Sequence, residues 1–117
     1  MAVQDRITID PDAHIFSIVR AIAAANEAVA RASARTDEVA AREEGRVVEQ
    51  VDRDALDSAN HSYAAAIEAL SGCIPCTLAG VRAALAALAK VDPPDAWWLP
   101  EAFQRLADSP ALAGMSL

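Results

Sequence analysis

Apolar side chains recur at helical spacing over the first third of the chain. From Ile15 onward they follow one another in alternating steps of three and four residues. This spacing places one apolar stripe along a helix that pairs with a neighbouring helix. The pattern predicts a long first helix, with Asp10 as its N-cap and Pro11 at its first helical position. The stripe consists of Ile15, Ile18, Ile22, Ala25, Val29, Ala32, Thr36 and Val39.

A second apolar face predicts a partner helix between Val48 and Leu70. Two positions can reverse the chain between the two helices. Gly45 is the preferred one, since glycine readily adopts the positive φ of a helix C′ position. The rival break lies at 33–38, where Thr36 would cap a helix that opens with two acids. Either break predicts an antiparallel hairpin. The second face contains Val48, Val51, Ala55, Ala59, Tyr63, Ala66 and Leu70, with Val47, Leu56 and Ile67 beside it.

Two shorter helices follow in the pattern. Thr77 is the predicted cap of a third helix, which ends before the proline pair after Asp92 because proline cannot continue a helix. Pro100 begins a smaller fourth helix. Their predicted apolar faces are Leu78, Val81, Leu85 and Leu88 in the third helix, and Phe103, Leu106 and Ala107 in the fourth.

The predicted fold class is therefore all-α: a long antiparallel helical hairpin with a short third helix and a smaller fourth helix. The composition agrees with an all-α fold. Hydrophobic residues make up 54% of the 117 residues, 29 of these hydrophobic residues are alanine, and only 4% of the chain is aromatic. Alanine has the highest intrinsic helix propensity. The predicted organisation is a tail at 1–9, one helical domain at 10–108 and a tail at 109–117.

The net charge of the chain limits the kinds of partner that it is expected to bind. The net charge is −7, and nine of the ten basic residues are arginines interleaved with acids. Without a basic stripe, direct nucleic-acid binding is not expected, and an anionic membrane surface is disfavoured. A basic protein is the partner that the charge favours. No apolar run approaches the roughly 18 residues of a membrane span, and no signal peptide is recognisable, which predicts a cytoplasmic protein.

The sharpest chemical motif is the pair Cys73 and Cys76 at the start of the third helix. Free amides and the helix dipole can stabilise a thiolate there, so these residues are the candidate redox pair. Thioredoxin-like proteins place this motif after a strand, and the sequence predicts no strand here. Helical peroxidases resembling alkylhydroperoxidase D have a histidine downstream of the motif, whereas no histidine follows Cys76 in this chain. Two reduced thiols are therefore favoured, with Gly72 and Pro75 mattering more for the turn.

No catalytic residue, metal or cofactor is predicted. His14 and His61 could complete a zinc site with the two cysteines, but His61 lies roughly 18 Å from Cys73 along the helix. A zinc site would also need a second closely spaced ligand pair beside Cys73 and Cys76, and the sequence has none.

Interaction residues are the other candidates. Trp97 and Trp98 are neighbours on a connector and cannot both enter one core, so one is expected to close the bundle and the other to stay exposed. The first helix would reach roughly 50 Å, farther than two short helices can cover. This predicts a homodimer, with Val29 and Val51 in its apolar seam.

Two segments carry a resemblance to a known set of proteins. They are the segment from Asp10-Pro11 to Ile18 and the segment from Pro75 to Leu85. Together they resemble short, uncharacterised alphaproteobacterial proteins, which have an Asp-Pro-led first helix and a Pro-Thr-Thr-Leu-Ala-Gly-type turn before the third helix. The resemblance implies a helical hairpin with a packed third helix and implies no activity. Cys76 stands where threonine is usual.

The predicted function is that of a non-enzymatic structural or interaction protein, an adaptor or accessory protein that associates with itself. One alternative is an acidic inhibitor that mimics nucleic acid on a basic partner surface. A second alternative is a dithiol redox protein that uses Cys73 and Cys76.

Overall fold

The computed structural model describes residues 11–91 and 95–113. Of these residues, 75% are helical and none lies in a strand. The elements are α1 (Ala13–Thr36), α2 (Glu38–Glu43), α3 (Gln50–Ser71), α4 (Leu78–Leu88), α5 (Leu99–Ala107) and a 3-10 turn at Pro110–Leu112. Helix α1 packs against α3. The predicted all-α hairpin is therefore confirmed.

The helices belong to two compact units. The hairpin unit is Arg20–Ala69, which holds most of α1, all of α2 and most of α3. The terminal unit joins the start of α1, up to Val19, to the described residues from Leu70 onward, and it contains α4 and α5. The predicted tail at 1–9 and the predicted N-cap Asp10 lie outside the described residues.

The long first helix is interrupted, so the prediction of one helix up to Gly45 is wrong. Asp37 has an extended backbone, and its carboxylate accepts hydrogen bonds from the amides of Val39 (3.0 Å) and Ala40 (3.1 Å). This cap starts the new helix α2 and ends α1 at Thr36. The rival break is therefore used, but Asp37 is the cap. The Thr36 hydroxyl instead donates to the carbonyl of Ser33.

Gly45 ends α2 as the sequence predicts. Its φ is +74°, and among the described residues no other position has a positive φ. The amide of Arg46 donates to the carbonyl of Ala41 (2.9 Å), and the amide of Gly45 donates to that of Arg42 (3.1 Å). These two bonds form a Schellman motif. Both predicted turn signals are thus used, one at each end of α2.

In the first turn of α3, the side chain that points inward is Asp52 rather than Val51. Asp52 is buried, and its carboxylate accepts from the amide of Glu49 (2.9 Å) and from Nε of Arg35 (3.4 Å). Its bond to Glu49 caps α3, which orients this turn of the helix. Val51 and Ala55, predicted on the inner face, are consequently exposed. The buried apolar residues of the hairpin unit are Ile22, Ala25, Ala32, Ala41, Val48, Ala59 and Ile67.

Each short helix of the terminal unit buries only part of its predicted face: Val81, Leu88 and Leu106 are buried as predicted. Leu78 and Leu85 are exposed on α4, and Phe103 and Ala107 are exposed on α5. Helix α4 packs against α5 and against the 3-10 turn. Buried on α4 are Gly80, Val81, Ala84 and Leu88, and on α5 Leu99, Ala102 and Leu106. Ser109, in the predicted C-terminal tail, is also buried.

Candidate functional site

Asp12 connects the beginning of α1 to the beginning of α4. The side chain is fully buried. Its Oδ1 accepts from the amide of Cys76 (2.9 Å), and its Oδ2 accepts from the amide (2.8 Å) and the hydroxyl (2.5 Å) of Thr77. The carbonyl of Asp12 meanwhile accepts from the amides of Ile15 and Phe16, which opens α1. A single residue thus starts one helix and holds the N-terminus of another.

Thr77 and Gly80 complete this junction. Thr77 caps α4 as predicted, because its Oγ1 accepts from the amide of Gly80 (3.0 Å). Gly80 faces Asp12 so closely that a Cβ atom at position 80 would lie 2.0 Å from Asp12 Oδ2. Only glycine therefore fits. The demanding glycine of this region is Gly80 and not Gly72, which is exposed and lacks a positive φ.

The junction favours the ionised form of Asp12. Burial alone would raise the pKa of its carboxyl group. Hydrogen bonds from the Thr77 hydroxyl and from the amides of Cys76 and Thr77 outweigh burial and hold the pKa below its usual value of 3.8. The carboxylate is therefore a fixed negative charge at the start of α4, where the helix dipole is positive.

The same negative charge works against a reactive thiol. The two cysteines are not joined by a disulfide; Cys73 is half-buried and Cys76 is exposed. Burial and the nearby charge of Asp12 raise the pKa of the Cys73 thiol. Amides at the start of α4 that could stabilise a thiolate donate instead to Asp12 and to Thr77. The electrostatic premise of the candidate redox pair is thus not met by this geometry.

Replacing both cysteines by serine is expected to change the free energy of unfolding by less than about 1 kcal/mol, because Cys76 is exposed and the half-buried Cys73 thiol acts as a small hydrophobic group. Pro75→Ala is expected to cost more, since Pro75 is fully buried. Chemical denaturation followed by circular dichroism measures both. With an aromatic disulfide that reacts with thiols, the exposed Cys76 should be modified faster than Cys73 at pH 7. Faster reaction at Cys73, or unfolding of the double variant, would contradict this interpretation.

Metal ligands do not converge within the part of the chain that the structure describes. There, no group of three or more His, Cys, Asp or Glu side chains is placed to hold a metal ion. His14 and His61 are both exposed on their helices.

The candidate interaction residues differ widely in exposure. Trp97 is 87% exposed. Trp98 is half-buried, and its carbonyl accepts from the amide of Ala102 (3.1 Å) at the start of α5. In the hairpin unit, Val29 is half-buried whereas Val51 is exposed. Trp97 and Val51 are therefore the two members of the set that are most available to a partner.

Two arginines cap helix C-termini. Arg46 Nη1 and Nη2 donate to the carbonyls of Arg35 (2.9 Å) and Ala34 (3.4 Å) at the end of α1. Arg105 Nη1 donates to the carbonyl of Ser71 at the end of α3. A cation at this position satisfies free carbonyls and opposes the negative end of the helix dipole. Sequence spacing did not identify these roles, because the bonded residues lie 11 to 34 positions apart.

An open groove of about 280 Å³ lies beside Arg105 in the terminal unit. It is lined by Ile74, Glu101, Gln104, Arg105 and Asp108. Its polar groups are engaged with one another, since Arg105 pairs with Glu101 (3.5 Å) and Gln104 donates to Asp108 (3.1 Å). The groove therefore presents no set of free polar groups converging on a substrate.

One helix corrects the expectation that no segment approaches the length of a membrane span. Helix α1 contains an 18-residue window of mean hydropathy 1.2 with at most two charged residues, and 17% of that window is buried. The high mean hydropathy of α1 follows from its many alanines, which are mildly apolar, and its few charged residues. Core helices of soluble proteins and signal sequences meet the same criterion, so it assigns no location.

Comparison of the chain with protein-family models, with curated proteins and with solved structures gives no match. The resemblance to short alphaproteobacterial proteins stays a prediction. The two segments that carry it meet physically, since Asp12 of the first binds Cys76 and Thr77 of the second.

Proposed function

We propose that the protein is a non-enzymatic helical interaction protein that associates with itself through the hairpin unit. The observation that carries the proposal is a group of exposed valines in that unit. Val39, Val47 and Val51 are between 64% and 78% exposed. We call these three residues the valine patch.

The three residues of the valine patch lie within a stretch of 13 residues that includes most of α2 and the start of α3. Glu38 of α2 pairs with Arg53 of α3 at 3.4 Å, which brings the starts of these two helices together. Val39 follows Glu38 directly in sequence, and Val51 lies two positions before Arg53. Exposed apolar surface costs about 25 cal/mol per Å², so covering such a patch with a second copy is favourable. A two-fold contact would apply the same patch on both chains.

The two alternative functions have less support. An inhibitor that mimics nucleic acid needs a face of unpaired carboxylates, but ion pairs with arginine engage Glu38, Glu44, Asp52 and Glu101. A dithiol redox protein needs an activated thiolate, whereas the pKa of Cys73 is raised. Neither alternative explains the exposed valines.

Val51→Asp is expected to weaken self-association at least tenfold, because a dimer interface would bury an unpaired charge. Light scattering at tens of micromolar should give twice the chain mass of 12.3 kDa for the wild type and a mass close to 12.3 kDa for the variant. The exposed position of Val51 leaves the fold of a single chain intact. Val29→Asp is also expected to weaken the dimer, but Val29 is half-buried within its own chain.

Ala65→Asp is the matched control for Val51→Asp. Ala65 is exposed on the same helix, about 21 Å farther along it, and receives the same charge. Its mass should remain that of the dimer. A wild-type mass of 12.3 kDa, or an equal effect of both substitutions, would overturn the proposal.

A further inference from the structure

Helix α4 is apolar on both of its faces. Its inward face is buried against α5 and the 3-10 turn. On its outward face, Leu78 is 52% exposed and Leu85 is 41% exposed. A surface helix usually carries polar residues there, and a helix that is apolar all round is usually buried. We call the outward stripe of Leu78, Arg82, Leu85 and Ala89 the α4 face.

The charge of the α4 face is opposite to that of the whole protein. Arg82 lies between the two leucines, and Lys90 follows at the end of the stripe. From 78 to 90 the chain contains no acidic residue, although the net charge is −7. Among the described residues, the two cations beside the exposed leucines, Arg82 and Lys90, thus form no ion pair.

We propose that the α4 face binds an amphipathic helix of a different protein, one that carries carboxylates beside its apolar seam. The inference rests on the proposed role as an interaction protein, but it uses a surface separate from the valine patch. Leucines packed against the partner's seam would supply affinity, and Arg82 and Lys90 would select acidic residues.

The spacing of the α4 face favours a helix as the occupant. Its residues follow one another in steps of three and four, which is the pattern of helix pairing. Exposed alanines beside the stripe, Ala79 and Ala86, allow a second helix to approach closely. The stripe is about 16 Å long, which corresponds to three helical turns.

Charge argues against a second copy and against a bilayer. A two-fold contact between α4 faces would bring two Arg82 side chains together without a carboxylate in the stripe. Recognition of anionic lipid usually requires clusters of four to eight basic residues, and the α4 face with Lys90 has two. The net charge of −7 further opposes binding to an anionic surface.

The test uses two designed helical peptides that share a leucine seam, one flanked by glutamates and the other by lysines. Fluorescence anisotropy measures their binding to the full-length protein. The glutamate peptide should bind at least tenfold more tightly, with an affinity that falls as salt is added. Arg82→Glu should remove this preference or reverse it. Leu85→Ala should weaken binding of the glutamate peptide severalfold.

Arg42→Glu is the matched control, because Arg42 is an exposed arginine of the hairpin unit without an ion pair among the described residues. It should leave peptide binding unchanged. Equal binding of the two peptides, or an equal loss in both arginine variants, would overturn the inference.

Two further outcomes would assign the α4 face to another occupant. Binding to phosphatidylserine–phosphatidylcholine vesicles, lost in Arg82→Glu and without preference between the peptides, would identify a lipid surface. A change in the mass of the protein caused by Arg82→Glu would identify a second copy. Val51→Asp should retain peptide binding, so failure of the dimer proposal and failure of this inference give different results.

Discussion

Gly80→Ala is expected to lower the free energy of unfolding by about 3 kcal/mol or more, although a glycine-to-alanine change inside a helix usually adds up to about 1 kcal/mol. The new Cβ would lie 2.0 Å from Asp12 Oδ2 and 2.7 Å from its Cγ. Asp12 cannot move aside without breaking the hydrogen bonds to Cys76 and Thr77. The substitution therefore removes the junction between α1 and α4.

Thermal and urea denaturation followed by circular dichroism measures this loss, which corresponds to a fall in Tm of about 10 °C. Gly45→Ala is the matched control. Its Cβ would meet no atom within 4 Å, so only the strain of a positive φ remains, about 1–2 kcal/mol. In an Asp12→Ala background the carboxylate is gone and only the Cβ of residue 12 remains, 3.1 Å from the new Cβ, so Gly80→Ala should cost much less than in the wild type. A stabilising effect of Gly80→Ala in the wild type would contradict the geometry.

Asp12→Asn is expected to cost about 3 kcal/mol at pH 7 and progressively less in acid. An asparagine keeps one acceptor oxygen, but its amide group would face the donors of Cys76 or Thr77. The pKa of Asp12 is lowered in the folded protein, so the carboxylate stabilises the fold above its ordinary pKa of 3.8. This contribution is lost as the pH falls through the lower, folded-state pKa.

Urea denaturation at pH 7, 5, 4 and 3 should therefore show a gap between wild type and Asp12→Asn that is constant down to about pH 4 and narrows below it. Asp52 also has a lowered pKa, chiefly because it accepts a hydrogen bond from the Glu49 amide. Its titration affects both proteins equally and cancels in the comparison. A gap of the same size at pH 3 and pH 7 would show that Asp12 does not act through its charge.

Two exposed apolar surfaces among the described residues, the valine patch and the α4 face, differ in the charges beside them. The valine patch is surrounded by charges of both signs, such as the pair of Glu38 and Arg53. The charged residues on and next to the α4 face, Arg82 and Lys90, are both basic. Trp97 is exposed in the same unit. These differences assign the valine patch to a second copy and the α4 face to an acidic helix in the two proposals.

Local features of the fold could be predicted from the sequence, because their causes lie within a few residues. The three-and-four spacing from Ile15 onward indicates a helix, since a helix repeats every 3.6 residues. Gly45 ends α2 and Thr77 starts α4 through bonds that span at most five positions. The sequence also predicts a break at 33–38 as an alternative, and the residue that caps the new helix there is Asp37.

The choice of contact between distant segments could only be read from the tertiary structure. Asp12 binds amides 64 and 65 residues away, and nothing in its neighbourhood distinguishes it from an ordinary first-turn acid. Its role and the need for Gly80 appear only when both segments are placed together. Likewise, α4 has apolar residues on two faces, so periodicity alone could not decide that Val81 and Leu88 are buried while Leu78 and Leu85 are exposed. Hydrogen bonds within a helix depend on neighbours along the chain, whereas the buried face of a helix depends on which other helices compete to cover it.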